Sequence, residues 1–175
     1  AALACIAIQS NQNDQHGGQA ICDFDYGLAE GVKKTYRRLY KKHLAEAVDL
    51  LVDGVVDDAR AFAQDVLAAV EEQTGLWASL KRDEGFEAAV REALVAAGVD
   101  EALADKALAY TAKNAHADTD RATFQAMEAL VHNLNTMHSR AGAQTPFSSV
   151  NYGMDTSPEG RMVIKNMLLA TDEGL

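Results

Sequence analysis

A short basic segment carries the side chains best suited to binding an anionic ligand. Residues 33–43 read KKTYRRLYKKH and hold six of the sixteen Lys and Arg residues of the chain. Each like-charged pair at four-residue spacing costs roughly 0.2–0.5 kcal/mol in an isolated helix, so this segment opposes helix formation unless anions lie nearby. On a helix the cations form two adjacent rows, Lys33/Arg37/Lys41 and Lys34/Arg38/Lys42.

Two interpretations of this segment remain open from the residues alone. The rows are either a solvated helix face balanced by acidic residues elsewhere, or a triphosphate site in which several cations converge on one ligand. Tyr36 and Tyr40 either add aromatic surface for a base or belong to the core, as aromatic residues in a helical stripe often do.

Two other stretches contain groups suited to a polar ligand. The Gln15–Gln19 stretch, QHGGQ, has paired glycines that let a backbone approach a ligand, although a plain turn has the same composition. A predicted strand over 147–153 carries hydroxyl and amide groups that suit either a polar cavity or a wet edge strand. The polar candidates in and before this strand are Gln144, Ser148, Ser149 and Asn151.

Several other functions are disfavoured by composition and spacing. The five histidines never stand three or four residues apart, so no helical metal pair is predicted. Cys5 and Cys22 lack a paired spacing and are expected to be reduced thiols. No serine lies in a nucleophile elbow. The sequence therefore predicts no metal site.

Charge and hydropathy limit the expected partners and compartment. A net charge of −10 disfavours a nucleic acid as a general partner, because phosphate binding needs concentrated Lys and Arg. No apolar run approaches the roughly 20 residues of a membrane helix, and the first residues lack the features of a secretory signal. We therefore expect a cytoplasmic protein with no membrane partner.

Apolar periodicity predicts a mainly α fold with one or two β-strands. Polar and glycine residues predict a loop over 10–19, and glycines predict breaks between shorter helices after residue 74. The predicted helices cover residues 1–10, about 28–72 with a possible break near Gly54, 86–97, and about 101–138 with a possible interruption near 114–119.

The last part of the chain changes character. Pro146 disfavours helical geometry at the preceding residue, and Phe147–Tyr152 has the composition of a strand. Thr156 and Glu159 then fit a capping box around Pro158, which predicts a helix that runs to about residue 170.

Two blocks of this sequence resemble one known family. Residues 133–161, NLNTMHSRAGAQTPFSSVNYGMDTSPEGR, resemble the segment of anaerobic, glycyl-radical (class III) ribonucleoside-triphosphate reductases that leads from a helix into a strand of the catalytic barrel. Residues 12–32, QNDQHGGQAICDFDYGLAEGV, resemble the glutamine- and glycine-rich stretch of the same family. The blocks lie about 100 residues apart in the expected order. The chain is thus expected to be an internal fragment of the ten-stranded α/β barrel of such a reductase.

The resemblance implies reduction of ribonucleoside triphosphates to deoxyribonucleoside triphosphates for DNA synthesis. In the family, a radical-SAM activase generates a glycyl radical, zinc is bound near the C-terminus, and a dNTP or ATP effector controls substrate choice. The chain has none of the motifs for the radical, its relay cysteine or the zinc ligands. We therefore expect no catalytic residue and no bound cofactor in this fragment, and no activity from it alone.

The resemblance also implies different roles for two regions of the chain. Residues 1–143 are expected to form the helical homodimer-interface and specificity-effector region, with a variable helical insertion over 54–120. Residues 144–175 are expected to form a barrel strand and the helix that follows it. Gln144, Ser148, Ser149 and Asn151 are then expected to bind substrate. The effector is expected to contact Gln15, Gln19, Tyr36, Arg37, Lys41 and Lys42. The alternative is a non-catalytic helical self-association module with no nucleotide site.

Overall fold

Helices form most of the chain in the computed structural model, as predicted. The structure describes residues 1–14, 17–52, 56–138, 145 and 147–173. No helix within these ranges has both the length and the apolar composition needed to cross a membrane. The elements are α1 (Ala2–Asp14), β1 (Gln19–Ile21), α2 (Phe24–Leu51), α3 (Ala59–Thr74), α4 (Glu84–Ala96), α5 (Glu101–Thr136), β2 (Ser148–Val150) and α6 (Pro158–Glu173).

The chain divides into two compact units. Unit 1 comprises Ala1–Val32 with Asp120–Leu175, and unit 2 comprises Lys33–Thr119. The predicted boundary between residues 143 and 144 lies outside the described residues and stays a prediction.

Unit 1 contains a two-stranded parallel sheet. β1 pairs with β2 in a register that places Gln19 beside Ser148 and Ile21 beside Val150. The strand predicted at 147–152 is therefore present over Ser148–Val150 and pairs with another strand of the same chain. α6 is held to the C-terminal part of α5 by Asp120, whose carboxylate accepts hydrogen bonds from Lys165 Nζ at 2.7 Å and Asn166 Nδ2 at 2.8 Å.

The start of α6 differs by one residue from the predicted capping box. Ser157, not Thr156, caps the helix, because its Oγ accepts a hydrogen bond from the Gly160 N–H at 3.1 Å. Asp155 fixes this cap by accepting from the Ser157 N–H at 2.8 Å. A Cβ at Gly160 would lie 2.6 Å from the Asp155 side chain, so only glycine fits against this turn.

Unit 2 consists of helices that pack around one hydrophobic core. Asp58 caps α3 by accepting from the N–H groups of Arg60 and Ala61, and Asp83 caps α4 through the Phe86 N–H. Gly75 ends α3 with φ at 69°, a left-handed conformation that glycine adopts without strain. The core residues include Leu44, Val48, Val66, Val70, Phe86, Val90, Leu94 and Ala104.

The helix bounds differ in detail from the predictions, and one strand was not predicted. α1 continues to Asp14, so the loop expected from residue 10 begins later. β1 was not predicted. α2 ends at Leu51 and α3 begins at Ala59, so the span predicted to residue 72 is two helices, on either side of the possible break near Gly54. Gly54 itself lies outside the described residues. α5 runs without interruption through 114–119.

Candidate functional site

The basic face of α2 lines the larger of two neighbouring cavities in unit 2. This cavity has a volume of about 770 Å³ and lies between α2 and the start of α3. Its charged lining is balanced, with four cations and four carboxylates. These residues are Arg38, Lys41, Lys42, Arg60, Glu46, Asp49, Asp57 and Asp58.

Three of these four cations make no ion pair with a described residue. Lys42 Nζ lies 3.5 Å from Glu46 Oε1, one turn along α2. Arg38, Lys41 and Arg60 are exposed and make no ion pair with any residue that the structure describes. Arg38 and Lys41, one turn apart on α2, are therefore available to donate charged hydrogen bonds to an anion, although carboxylates also line the cavity.

A second cavity of about 320 Å³ adjoins the first. The two share Arg38, Lys41 and Gln64, which line both. The second cavity also has an aromatic wall, because Trp77 lies in the segment between α3 and α4 and the Arg37 guanidinium lies 4.4 Å from the centre of its ring. Charged and flat apolar surfaces thus meet at one place in unit 2.

The two tyrosines of the basic segment belong to the core. Tyr36 is 5% exposed and Tyr40 is 3% exposed, and their rings pack 6.0 Å apart. Tyr40 also makes an edge contact with Phe86. Burial, with Tyr36 and Glu87 nearby, raises the pKa of Tyr40 above its usual value. Tyr36 was a candidate effector contact, but its ring is not presented to a ligand at the surface.

His43 is held between two carboxylates. Its Nδ1 lies 2.7 Å from Glu46 Oε2 and its Nε2 lies 2.9 Å from Asp118 Oδ2. The ring is 6% exposed, and Tyr110 makes an edge contact with it. This arrangement fixes α2 to α5 within unit 2 and orients Glu46, which lines the larger cavity.

The strand candidates of unit 1 lie on two faces of the sheet. Because side chains alternate along a strand, Ser149 and Asn151 share one face with Phe147, and Ser148 lies on the other. Ser149, Asn151 and Phe147 are exposed, whereas Ser148 is half-buried. Gln144 lies outside the described residues.

Asp25 anchors the segment that follows β2. Its carboxylate is fully buried and accepts hydrogen bonds from the N–H groups of Gly153 at 2.9 Å and Asp155 at 3.0 Å. Burial alone raises the pKa of Asp25, but the hydrogen bonds from Asp155, Gly153, Tyr26 and its own N–H bring that pKa below its usual value. Asp25 thereby fixes the chain just beyond Asn151.

The described one of the two glutamines predicted for the effector belongs to a different unit from the basic face. Gln19 lies in unit 1, where it is buried and its Oε1 accepts a hydrogen bond from Asn11 Nδ2. Gln15 lies outside the described residues. Arg37, Lys41 and Lys42 lie in unit 2.

The whole sequence matches one family. The sequence model described as anaerobic ribonucleoside-triphosphate reductase matches residues 1–175. The chain belongs to this family. No curated protein matches the chain. Membership confirms the resemblance of the two sequence blocks and makes this an oxidoreductase-family chain related to anaerobic ribonucleotide reduction.

The zinc expected in the parent reductase does not fit the described residues. They contain no group of three or more His, Cys, Asp or Glu side chains arranged to hold a metal ion. Cys5 is buried in α1, where its Sγ lies 4.0 Å from the Leu130 carbonyl oxygen, and Cys22 is exposed. No chemical step of this family is therefore assigned to a metal in the described part of this chain.

Two residues that line the cavities, Gln64 and Trp77, and two that hold neighbouring segments in place, Asp25 and Asp118, were not singled out from the sequence. Gln64 and Trp77 lie in the region that carried no motif, and their approach to α2 depends on how α3 packs. Asp25 and Asp118 were part of the general acidic background. Of these two carboxylates, only Asp25 could have been noticed from the sequence, because it lies in the first turn of α2, where a negative charge is favoured.

Proposed function

We propose that unit 2 carries the allosteric nucleotide site of an anaerobic ribonucleoside-triphosphate reductase, and that its ligand is a dNTP or ATP. The observation that supports this is the pair of exposed, unpaired cations, Arg38 and Lys41, which line both adjoining cavities. Charged hydrogen bonds from Arg and Lys to phosphate oxygens are among the stronger polar contacts in proteins. Lys42 supplies a third cation on the same face.

The mixed charge of the larger cavity favours the Mg²⁺ complex of a triphosphate over the free anion. The four carboxylates would repel a bare triphosphate, whereas Mg²⁺ is commonly bound by one or two carboxylates together with substrate phosphates. Asp49 and Asp57 are exposed and make no ion pair with the described residues, so they are the candidates for this contact.

For the parent reductase we propose the reduction of ribonucleoside triphosphates to deoxyribonucleoside triphosphates. The exposed face of β2, with Ser149 and Asn151, is the surface we assign to the substrate side. The radical-generating partner and the radical-bearing residues would be supplied outside the described residues, so the 175-residue chain alone is expected to be inactive. Homodimer formation and a cytoplasmic location are part of the same proposal.

Ligand-dependent stability tests the proposal. A ligand present at 100 times its Kd stabilises the folded chain by about 2.7 kcal/mol. Thermal unfolding of the chain should therefore shift upward with millimolar Mg–dATP, Mg–dTTP or Mg–ATP, and much less with the nucleoside deoxyadenosine. An unfolding curve that stays unchanged with all three triphosphates would support the rival function, a helical self-association module without a nucleotide site.

A further inference from the structure

The wall of the smaller cavity is a tryptophan held by an arginine. Trp77 is the only tryptophan of the chain and is 47% exposed. The Arg37 guanidinium lies over its ring at 4.4 Å, which restrains both side chains. Arg37 Nε is buried and has no hydrogen-bond acceptor among the described residues. A large aromatic surface is thus left exposed and oriented beside an unsatisfied donor.

Trp77 lies in the smaller cavity, next to the cations that the two cavities share. Arg38 and Lys41 line both the 770 Å³ and the 320 Å³ cavity, so one ligand can contact them while extending into the smaller space. Trp77 lies only in the smaller cavity. A ligand that matches both surfaces has an anionic end and a flat, polarisable end. A nucleoside triphosphate has both.

We propose that the smaller cavity is the base-binding subsite, in which the nucleobase stacks on the Trp77–Arg37 pair. This inference rests on the proposed nucleotide site. It assigns the aromatic surface for the base to Trp77, because Tyr36 and Tyr40 are buried and cannot supply it. Stacking on an aromatic side chain is favourable for every base, because every base has a π-face. The triphosphate then lies against Arg38 and Lys41 in the larger cavity.

Polar groups at the edge of the subsite complete the chemistry expected of a base site. Gln64 offers an amide donor and acceptor, and Glu71 offers a carboxylate acceptor; both line the cavity that Trp77 lines. The donors and acceptors of a base edge can pair with such groups. Phe86 closes the cavity from the core side, where it is 4% exposed.

The single tryptophan provides a local reporter for the test. Mg–dATP should quench the fluorescence of Trp77 along a saturable curve. Mg–tripolyphosphate should bind in a calorimetric titration and leave the fluorescence unchanged, because it has no base. This measurement uses the native chain and does not depend on the folding of any variant.

Substitution then separates stacking from phosphate binding. Trp77→Leu should weaken Mg–dATP binding by roughly 5- to 150-fold, the range for loss of one base–aromatic stack, and leave tripolyphosphate affinity unchanged. Trp77→Phe should retain most of the affinity. Tyr26→Leu is the matched control, since Tyr26 is 70% exposed and lines neither cavity.

The outcomes distinguish this inference from the function on which it rests. Equal Mg–dATP affinity in the native chain and Trp77→Leu, with unquenched fluorescence and intact tripolyphosphate binding, would overturn the base subsite and leave the phosphate site standing. Absence of binding by both dATP and tripolyphosphate would overturn the nucleotide site itself, and the subsite with it.

Discussion

Replacing Arg38 by glutamine should stabilise the free chain while weakening its binding of nucleotide. Arg38 has three like-charged neighbours on α2, Lys34 and Lys42 at four residues and Lys41 at three. Each such pair costs about 0.2–0.5 kcal/mol, and Arg38 makes no ion pair with the described residues that the substitution would break. Glutamine has a helix propensity close to that of arginine.

Arg38→Gln should therefore raise the free energy of unfolding by about 0.6–1.5 kcal/mol at low salt. The gain should shrink in 0.5 M NaCl, because salt screens exposed charges. The affinity for Mg–dATP should fall by roughly 10- to 100-fold, the loss expected for one charged hydrogen bond. Urea denaturation followed by circular dichroism measures the first effect and calorimetric titration the second.

Lys106→Gln is the matched control for both measurements. Lys106 is an exposed cation on α5 that lines neither cavity and has no like-charged residue three or four positions away. It should change neither stability nor affinity appreciably. Destabilisation of the chain by Arg38→Gln, or binding of Mg–dATP by this variant as tight as that of the native chain, would contradict the prediction.

Three further predictions concern stability and the metal ion. Asp25→Ala should lower the free energy of unfolding by about 1.5–3 kcal/mol, since the part-buried N–H groups of Gly153 and Asp155 lose a charged acceptor. Folding lowers the pKa of Asp25, so its contribution to stability is present above the pKa of an unfolded aspartate, about 3.9, and is lost as the pH falls through the pKa of the folded state. A stability difference between the native chain and Asp25→Ala that stays undiminished in urea denaturation down to pH 2 would contradict this. Leu94→Ala should lower the free energy of unfolding, measured by urea denaturation, by about 2–5 kcal/mol, because Leu94 is 0% exposed. Leu50→Ala, at a 71% exposed site, should lower it by less than about 0.5 kcal/mol. Equal losses in the two variants would contradict the assignment of Leu94 to the core. Removing Mg²⁺ with EDTA should weaken dATP binding in calorimetry, and tighter binding without Mg²⁺ would exclude the assigned role of the cavity carboxylates.

The helices of unit 2 were predictable because their signals are local. Asp83 before an apolar repeat specifies the start of α4, and the glycine at position 75 specifies the end of α3. β1 could not be predicted in the same way. Gln19–Ile21 is only three residues long, and its hydrogen bonds go to a strand about 130 residues away. No local pattern specifies such a pairing.

The candidate site was predictable in its charges and not in its geometry. Helical periodicity alone placed the six cations of residues 33–42 in two rows. Which of them remain unpaired depends on the packing of neighbouring elements, as does the approach of Trp77 to Arg37. The burial of Tyr36 follows from its place in an apolar stripe, which the residues alone left as one of two alternatives.

The central claim is that Arg38 and Lys41 bind the phosphates of a nucleotide effector. Its most direct test is calorimetric titration of Mg–dATP into the native chain, the Arg38→Glu/Lys41→Glu variant and Lys106→Glu, with circular dichroism to confirm that each is folded. We predict saturable binding to the native chain and to Lys106→Glu, and none to the folded double variant. Equal binding by all three, or binding by none, would contradict the claim.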